Sequence, residues 1–438
     1  MSGGSQPAEN NPVGGTPNPC MGAIAKTVRQ ARHALLMLFI NDGMSEHAPN
    51  PQPPVLIHGL ALDDWNERLK SVVPGHPEAA ALTPLLAAVI ADESAPETLR
   101  QQAAYAAARM GDAAPDAARA LVELVRTQRA AAETQRNVSL RLWATKACGR
   151  FGATASAALP ILVDQVRDPV ESADLRAVSL ASLQGFALTS THALEQLISV
   201  AAGELPENDP RRRDLQLIAV ELLGGQQSAA STAVPALVRL LDDPAAVVRL
   251  MAVESLGLIG PSANPATPRL LELLLADDEE SVRSAAVIAL GRLGPGVISD
   301  VSPLLSSELE EHRFHAAACL ATVSPPVFDA ELISILRAGL DDPSARVQAA
   351  YAAALCRTAN AHRTTAFESL VDSLNSEESD ARMSARVALI AHGRGVDVVQ
   401  QRLAALLGGE RDDRTRRAAS EARRIIAAWS KPATLPSR

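Results

Sequence analysis

Aromatic side chains make up only 3% of this 438-residue sequence. With so few large rings, Ala and Leu supply the bulk, and small side chains let helices approach closely, which suits stacked helical hairpins better than a bulky globular core. Cysteine is equally scarce. Cys20, Cys148, Cys319 and Cys356 lie far apart with no C-x-x-C spacing, which argues against a disulfide framework and a structural zinc site and fits a reducing compartment. Three of the four fall on helical segments among small apolar residues and are expected to be packed thiols. An excess of basic charge is also missing. The 41 Lys and Arg against 50 Asp and Glu leave a formal charge of −9, which argues against a general nucleic-acid binder, since neutralising phosphates needs a surplus of cations. No stretch approaches the roughly 20 apolar residues of a membrane span, so no transmembrane segment is expected. Asn-Gly or Asp-Gly turns between alternating runs are absent, which leaves little strand signal. There is no Gly-rich phosphate loop, G-x-S-x-G elbow, H-E-x-x-H or C-x-x-C-H, so no catalytic residue, cofactor or metal ligand set is assigned.

What the sequence does contain is one unit written repeatedly. VPALVRLLDDPAAVVRLMAVESLGLIG, from Val234, is followed at Thr267 by TPRLLELLLADDEESVRSAAVIALGRLG. Pro235 sits where a helix can begin without losing a hydrogen bond, Leu237 and Leu241 recur at helical spacing, and Asp242, Asp243 and Pro244 interrupt. Val248, Ala252, Leu256 and Ile259 then form one face of a second helix that ends at Gly260. Pro268, Leu271, Leu275, Asp277, Asp278, Val282, Ala286, Leu290, Leu293 and Gly294 repeat these roles. A pair of helices this short cannot bury its apolar stripe alone and must stack on neighbours.

Aligning the second helices on Arg249 gives Arg100, Arg141, Arg176, Gln216, Arg249, Arg283, Arg313, Gln348, Arg382 and Arg416. These anchors are roughly 30 to 41 residues apart, the period of two-helix repeats, and define about ten units. Pro84, Pro160, Pro235, Pro268 and Pro303 mark first helices. The polar insertion between Gly203 and Leu215 reads as a surface loop. The unit resembles a HEAT repeat, and most closely the variant of phycobilin lyases and many bacterial scaffolds, with Asp-x-x-x-x-Val-Arg followed by Ala and then Ala-Leu-Gly. The resemblance implies an all-α fold, an armadillo-type α-solenoid wound as a right-handed superhelix, that binds other macromolecules.

In chain order, residues 1–20 read as a disordered tail, 21–54 as a short amphipathic helix and Pro-rich linker, 55–77 as a capping helix, 78–429 as the solenoid and 430–438 as a second tail. The apolar run near Leu35 follows basic residues but is at the short limit for a signal peptide, so a cytoplasmic location is expected, with export as the alternative.

Four groups of side chains are candidates for a role. The Asp–Arg ladder implied by the family, Asp243, Arg249, Asp278 and Arg283, reads as structural: the acids can cap the second helix while an Arg of an adjacent unit pairs with them. Positions two, five and nine after each anchor lie away from the core stripe, and the resemblance places them on a concave face. They include Gln102, Tyr105, Arg109, Trp143, Lys146, Arg150, Glu221, Glu254, Arg292, His315 and Arg357. Aromatic and Arg side chains dominate interface energies, so Tyr105, Arg109, Trp143, Lys146, Arg150, Arg292 and Arg357 are assigned to a protein or peptide partner. Glu311, His312, His315 and Cys319 share a side of one helix, a metal-type pattern weighed against ordinary packed histidines. The last unit carries Arg414, Arg416, Arg417, Arg423 and Arg424, which read as a solvated capping face. The function expected is a non-enzymatic interaction scaffold. Its rivals are a bilin-lyase-like enzyme or subunit and an acidic-ligand or nucleic-acid binder using local Arg patches. Deoxyhypusine hydroxylase shares the architecture but holds iron with His-Glu pairs, and no His-Glu dipeptide occurs here.

Overall fold

The computed structural model describes residues 77–110, 114–130, 138–358, 362–407 and 413–430. The tails, linker and capping helix expected over 1–76 and 431–438, with the N-terminal apolar run and Cys20, lie outside them. The described residues form ten helix pairs and no strand, an all-α solenoid. The pairs are α1 Pro77–Ala91 with α2 Glu97–Met110, α3 Pro115–Ala130 with α4 Val138–Phe151, and α5 Leu159–Arg167 with α6 Ala173–Ala187. Next come α7 Thr191–Ala201 with α8 Arg212–Gly225, α9 Val234–Leu240 with α10 Ala246–Ile259, and α11 Thr267–Ala276 with α12 Glu280–Leu293. A short α13 Ile298–Val301, continued by a 3-10 turn, pairs with α14 Glu310–Leu320, and α15 Ala330–Ala338 pairs with α16 Ala345–Leu355. The last two pairs are α17 Arg363–Ser373 with α18 Ser379–His392, and α19 Asp397–Leu407 with α20 Asp413–Ser430.

Local chemistry sets these boundaries. Pro sits in the first two positions of α5, α9 and α11, where its missing N–H costs nothing. Pro84, by contrast, lies inside α1. Ser172, Ser190 and Asp329 accept the backbone N–H three residues on, capping α6, α7 and α15. Gly260 and Gly294 end α10 and α12 with φ of 74° and 90°, a region that β-carbons disfavour. The stripe Val248, Ala252, Leu256 and Ile259 is buried as its spacing requires, as is Val282, Ala286, Leu290 and Leu293. In α11 the inward leucines are Leu270, Leu273 and Leu274, while Leu271 and Leu275 are half-buried. The register follows Pro268, so Leu270 answers to Leu237. The most apolar helical run, Ala246–Ala276, passes a length and hydropathy test for a membrane span. It is turned at Gly260 into two separate helices of the repeat stack, and 56% of its most apolar window is buried in that stack.

Each even-numbered helix packs on the even-numbered helices before and after it, so the second helices make one continuous stack. Small residues allow the approach. A β-carbon on Gly149 would lie 2.7 Å from Ser182 Cα, one on Gly224 2.9 Å from Ser255 Cα, and one on Gly257 2.9 Å from Ala289 Cα. The two serines tie the helices they touch: Ser182 Oγ donates to the Thr145 carbonyl at 3.1 Å, and Ser255 Oγ to the Val220 carbonyl at 2.9 Å. Gly257→Val should therefore destabilise the protein by about 1–3 kcal/mol, as overpacking against backbone does. Gly225→Ala, whose new methyl would meet only the flexible end of Gln184, should be neutral or stabilising. Thermal denaturation followed by circular dichroism checks both.

Candidate functional site

Two sets of side chains recur at the repeat junctions: an arginine ladder on one edge, and the residues that the second helices turn away from the core. The ladder follows one rule. Where the preceding turn is described, the anchor side chain folds back on carbonyls near the end of its own first helix. Arg176 Nε donates to the Val166 carbonyl at 2.9 Å, Arg249 Nη1 to that of Asp243 at 3.0 Å, and Arg313 Nη1 to that of Ser307 at 3.0 Å. Gln216 and Gln348 do the same through their amides, to Ala201 and Asp342. The free edge of the guanidinium then meets an acid of the next repeat. Arg249 binds Asp277 through two bonds of 2.8 Å, Arg313 binds Asp342 at 2.7 and 3.1 Å, Arg176 binds Asp209, and Arg141 binds Glu171.

This geometry corrects the sequence reading in three places. The ladder acid is Asp277, which is buried; Asp278 points to solvent. The acids do not cap the second helices, whose N-cap residues Ala245 and Glu279 make no side-chain cap. Instead Asp243 and Asp277 each accept the backbone N–H two residues on, at 2.9 Å, fixing the turn before the helix. The insertion after Gly203 is not all surface loop either, since it delivers Asp209, with a side chain 0% exposed, to Arg176 at 1%. Where Gln216 interrupts the cationic series, Arg213 replaces it and binds Asp243 at 2.8 Å. The signal for the correct acid was present: Asp243, Asp277 and Asp342 each stand six residues before their anchor.

The Arg176 guanidinium holds the Asp209 carboxyl below the usual aspartate range, despite burial. Burial, the largest single influence, would raise Asp277 and Asp342, but the hydrogen bonds from Arg249 and Arg313, a backbone N–H and the nearby guanidinium charge together outweigh it and both are lowered. Arg249 and Arg313 are raised in turn, chiefly by those hydrogen bonds.

On the face of the second helices, α2 and α4 bring five of the assigned residues to one end. The rings of Tyr105 and Trp143 meet edge to face, with centroids 5.5 Å apart at 82°. Lys146 Nζ lies 5.1 Å from the Trp143 centroid and the Arg109 guanidinium carbon 5.9 Å from that of Tyr105. Both rings are half-buried; Arg109 and Arg150 are exposed at the same position of successive repeats. The other two assigned arginines do not join them. Arg292 is exposed on α12 and makes no ion pair among the described residues; Leu258 and Ile288, nine and five positions after their own anchors, are exposed apolar side chains at equivalent face positions. Arg357 turns inward, donating to the Ala321 carbonyl at 2.6 Å at the end of α14, and burial lowers its pKa.

The metal-type pattern on α14 is dispersed. Cys319 is sealed in the core, as are Cys148 and Cys356, and burial pushes all three thiols up to about 12. His312 Nδ1 meets Ser307 Oγ at 3.2 Å, and His315 Nδ1 is buried without a hydrogen-bond partner, its pKa lowered by desolvation. No group of three or more potential ligands is placed to hold a metal ion among the described residues. In the last unit Glu421 bridges Arg386 and Arg424, at 2.8 and 2.9 Å, and Arg416, Arg417 and Arg423 are exposed. The side chain of Arg414 lies outside the described residues.

Residues 207–291, and again 267–355, match the family model for HEAT repeats. Residues 207–355 carry HEAT repeats. Among curated proteins none matches this sequence. Solved structures similar to this HEAT-repeat chain include a karyopherin bound to the extreme C-terminus of a protein phosphatase, at 15% identity and a TM-score of 0.48, with 93% of this chain and 46% of that chain covered. An archaeal HEAT-like repeats protein from Thermococcus onnurineus NA1 is similar at 15% identity and a TM-score of 0.33, over 62% and 98% of the two chains. The complex of CpcE and CpcF of phycocyanin lyase from Nostoc sp. PCC7120 is similar at 17% identity and a TM-score of 0.28, over 61% and 94%. None of these likenesses carries a function or a partner to this chain.

Breaking a buried pair leaves a charge without compensation, so Asp209→Asn in these HEAT repeats should cost about 3 kcal/mol. Because the folded-state pKa of Asp209 is depressed, its contribution is complete above the unfolded aspartate value of about 3.9 and is lost as pH falls through the folded value. Urea titrations from pH 7 down to pH 2 should show wild type losing stability in acid and the Asn variant losing less.

Proposed function

We propose that the protein is a non-enzymatic scaffold that binds a protein or peptide partner on the face of its second helices, centred on Tyr105, Arg109, Trp143, Lys146 and Arg150. The observation that supports this most is the joined pair of rings with cations at 5.1 and 5.9 Å, flanked by the exposed Arg150. Large rings with a half-exposed face and arginines are the residue types that carry most interface energy. The cluster is cationic in a chain of net charge −9, so the complementary partner is an acidic segment presenting an apolar or aromatic side chain to the rings. Between this cluster and Arg292 the same face carries Glu221 and Glu254, so the charge sign changes along it and gives a partner direction and register. A reducing, cytoplasmic setting belongs to this proposal, supported by the three unpaired core thiols.

The test is a cross-linking pull-down from lysate of the source organism with wild type and with the double variant Trp143→Ala, Lys146→Ala, both first confirmed folded by circular dichroism. The reading predicts a captured protein whose recovery falls about tenfold or more in the variant, the loss expected for a contact at the centre of an interface. It also predicts that Arg150→Glu weakens capture and steepens its dependence on salt. Equal recovery of the same proteins by both baits would remove the site from this face.

A further inference from the structure

The arginine ladder has one rung that is charged on one side only. Among the rungs whose two members are both described, an acid of the next repeat faces every cation but one. Glu171 faces Arg141, Asp209 faces Arg176, Asp243 faces Arg213, Asp277 faces Arg249 and Asp342 faces Arg313. At the junction of α12 with α14 the position six before the anchor is Ser307.

Ser307 is the structural equal of the aspartates. Its backbone is extended at φ −67° and ψ 144°, against −69° and 136° for Asp277 and −57° and 143° for Asp342. Its side chain accepts the N–H two residues on, at 3.2 Å, as theirs do. Its carbonyl accepts Arg313 Nη1, as the Asp277 carbonyl accepts Arg283 Nη1 at 2.7 Å. Ser307 differs in lacking a carboxylate and in its hydroxyl meeting His312 Nδ1 at 3.2 Å. Where the acid is missing a second time, at Ser376, the sequence answers with the neutral Gln348. Arg283 receives no such adjustment. Its guanidinium has a single hydrogen bond among the described residues, its Nε is buried without a partner, and the neighbouring His315 Nδ1 and Ser281 Oγ are buried without partners too.

We propose that this rung is a recognition site completed from outside: a carboxylate side chain of a bound acidic peptide occupies the place that Asp277 and Asp342 fill elsewhere, forming the two-bond pair with Arg283. The ligand class follows from the repeats themselves, which show in their equivalent rungs that this cradle takes a carboxylate presented to Nε and Nη2. The side chain of Arg283 is half-buried and held at one end by its carbonyl bond, with an Nε that no group of the chain satisfies among the described residues, so its fork is already oriented for a planar oxyanion. The site lies on the edge where first helices turn into second helices and is independent of the Tyr105–Trp143 cluster.

The test uses the full chain and a minimal probe, N-acetyl-aspartate N-methylamide, with the asparagine analogue as the uncharged control. Arginine Nε–H resonances are followed by ¹H–¹⁵N NMR at constant ionic strength, with the Arg283 signal assigned from Arg283→Lys. The expected result is a saturable millimolar shift of the Arg283 signal with the aspartate probe, none with the asparagine probe, and none at Arg249 or Arg313. In Ser307→Asp the chain's own carboxylate fills the rung, so the response should be lost and the melting temperature should rise. An Arg283 signal unmoved by the probe, moved equally by the asparagine analogue, or moved equally in Ser307→Asp would overturn the proposal.

Discussion

A guanidinium that serves two repeats at once is the interaction on which the rest of this structure depends. Folded back on carbonyls that a short first helix leaves unsatisfied, it closes its own hairpin; turned outward, it takes the carboxylate that fixes the next turn. One side chain therefore links hairpin closure, turn geometry and the placement of the neighbouring unit. Burial makes the link directional. At 1% and 0% exposure, Arg176 and Asp209 must meet each other or leave a charge stranded, so the pair selects the spacing between repeats more than it adds stability.

The close stacking of second helices is the complementary constraint. Gly149, Gly224 and Gly257 face Ser182, Ser255 and Ala289, and no larger pair would fit. This is why a chain with 3% aromatic residues can still close a core: bulk is supplied by approach rather than by rings. Among the rings on the second helices, Tyr105 and Trp143 of the first two described pairs lie half-buried and in contact.

Much of this was legible in the sequence. The helix pairs, Gly260 and Gly294 as stops, and the anchors all follow from period, proline placement and the 3.6-residue stripe. The pairing of Tyr105 with Trp143 was foreshadowed, because positions five and two after successive anchors lie on one side of adjacent helices. The ladder was found one residue out. A doublet such as Asp277–Asp278 offers two acids at a junction, and a capping argument cannot choose between them. The choice is made by the extended backbone at Asp277, which aims that side chain at Arg249. Asp209 was hidden for another reason: its loop reads as polar and exposed, and only the position of Arg176 reveals that one of its acids is drawn inside. Arg357 was misjudged because spacing fixes the face of a helix but not whether a long side chain turns back onto the carbonyls of its neighbour.

A ladder that joins repeats pairwise makes a quantitative claim about coupling. The direct measurement is a pair of double-mutant cycles, Arg249→Met with Asp277→Ala and Arg283→Met with Ser307→Ala, read by native-state hydrogen exchange of amides in α10, α12 and α14. The account predicts a coupling of about 2 kcal/mol across the first pair and close to zero across the second. Additive effects at Arg249 and Asp277, or equal coupling at both junctions, would contradict it.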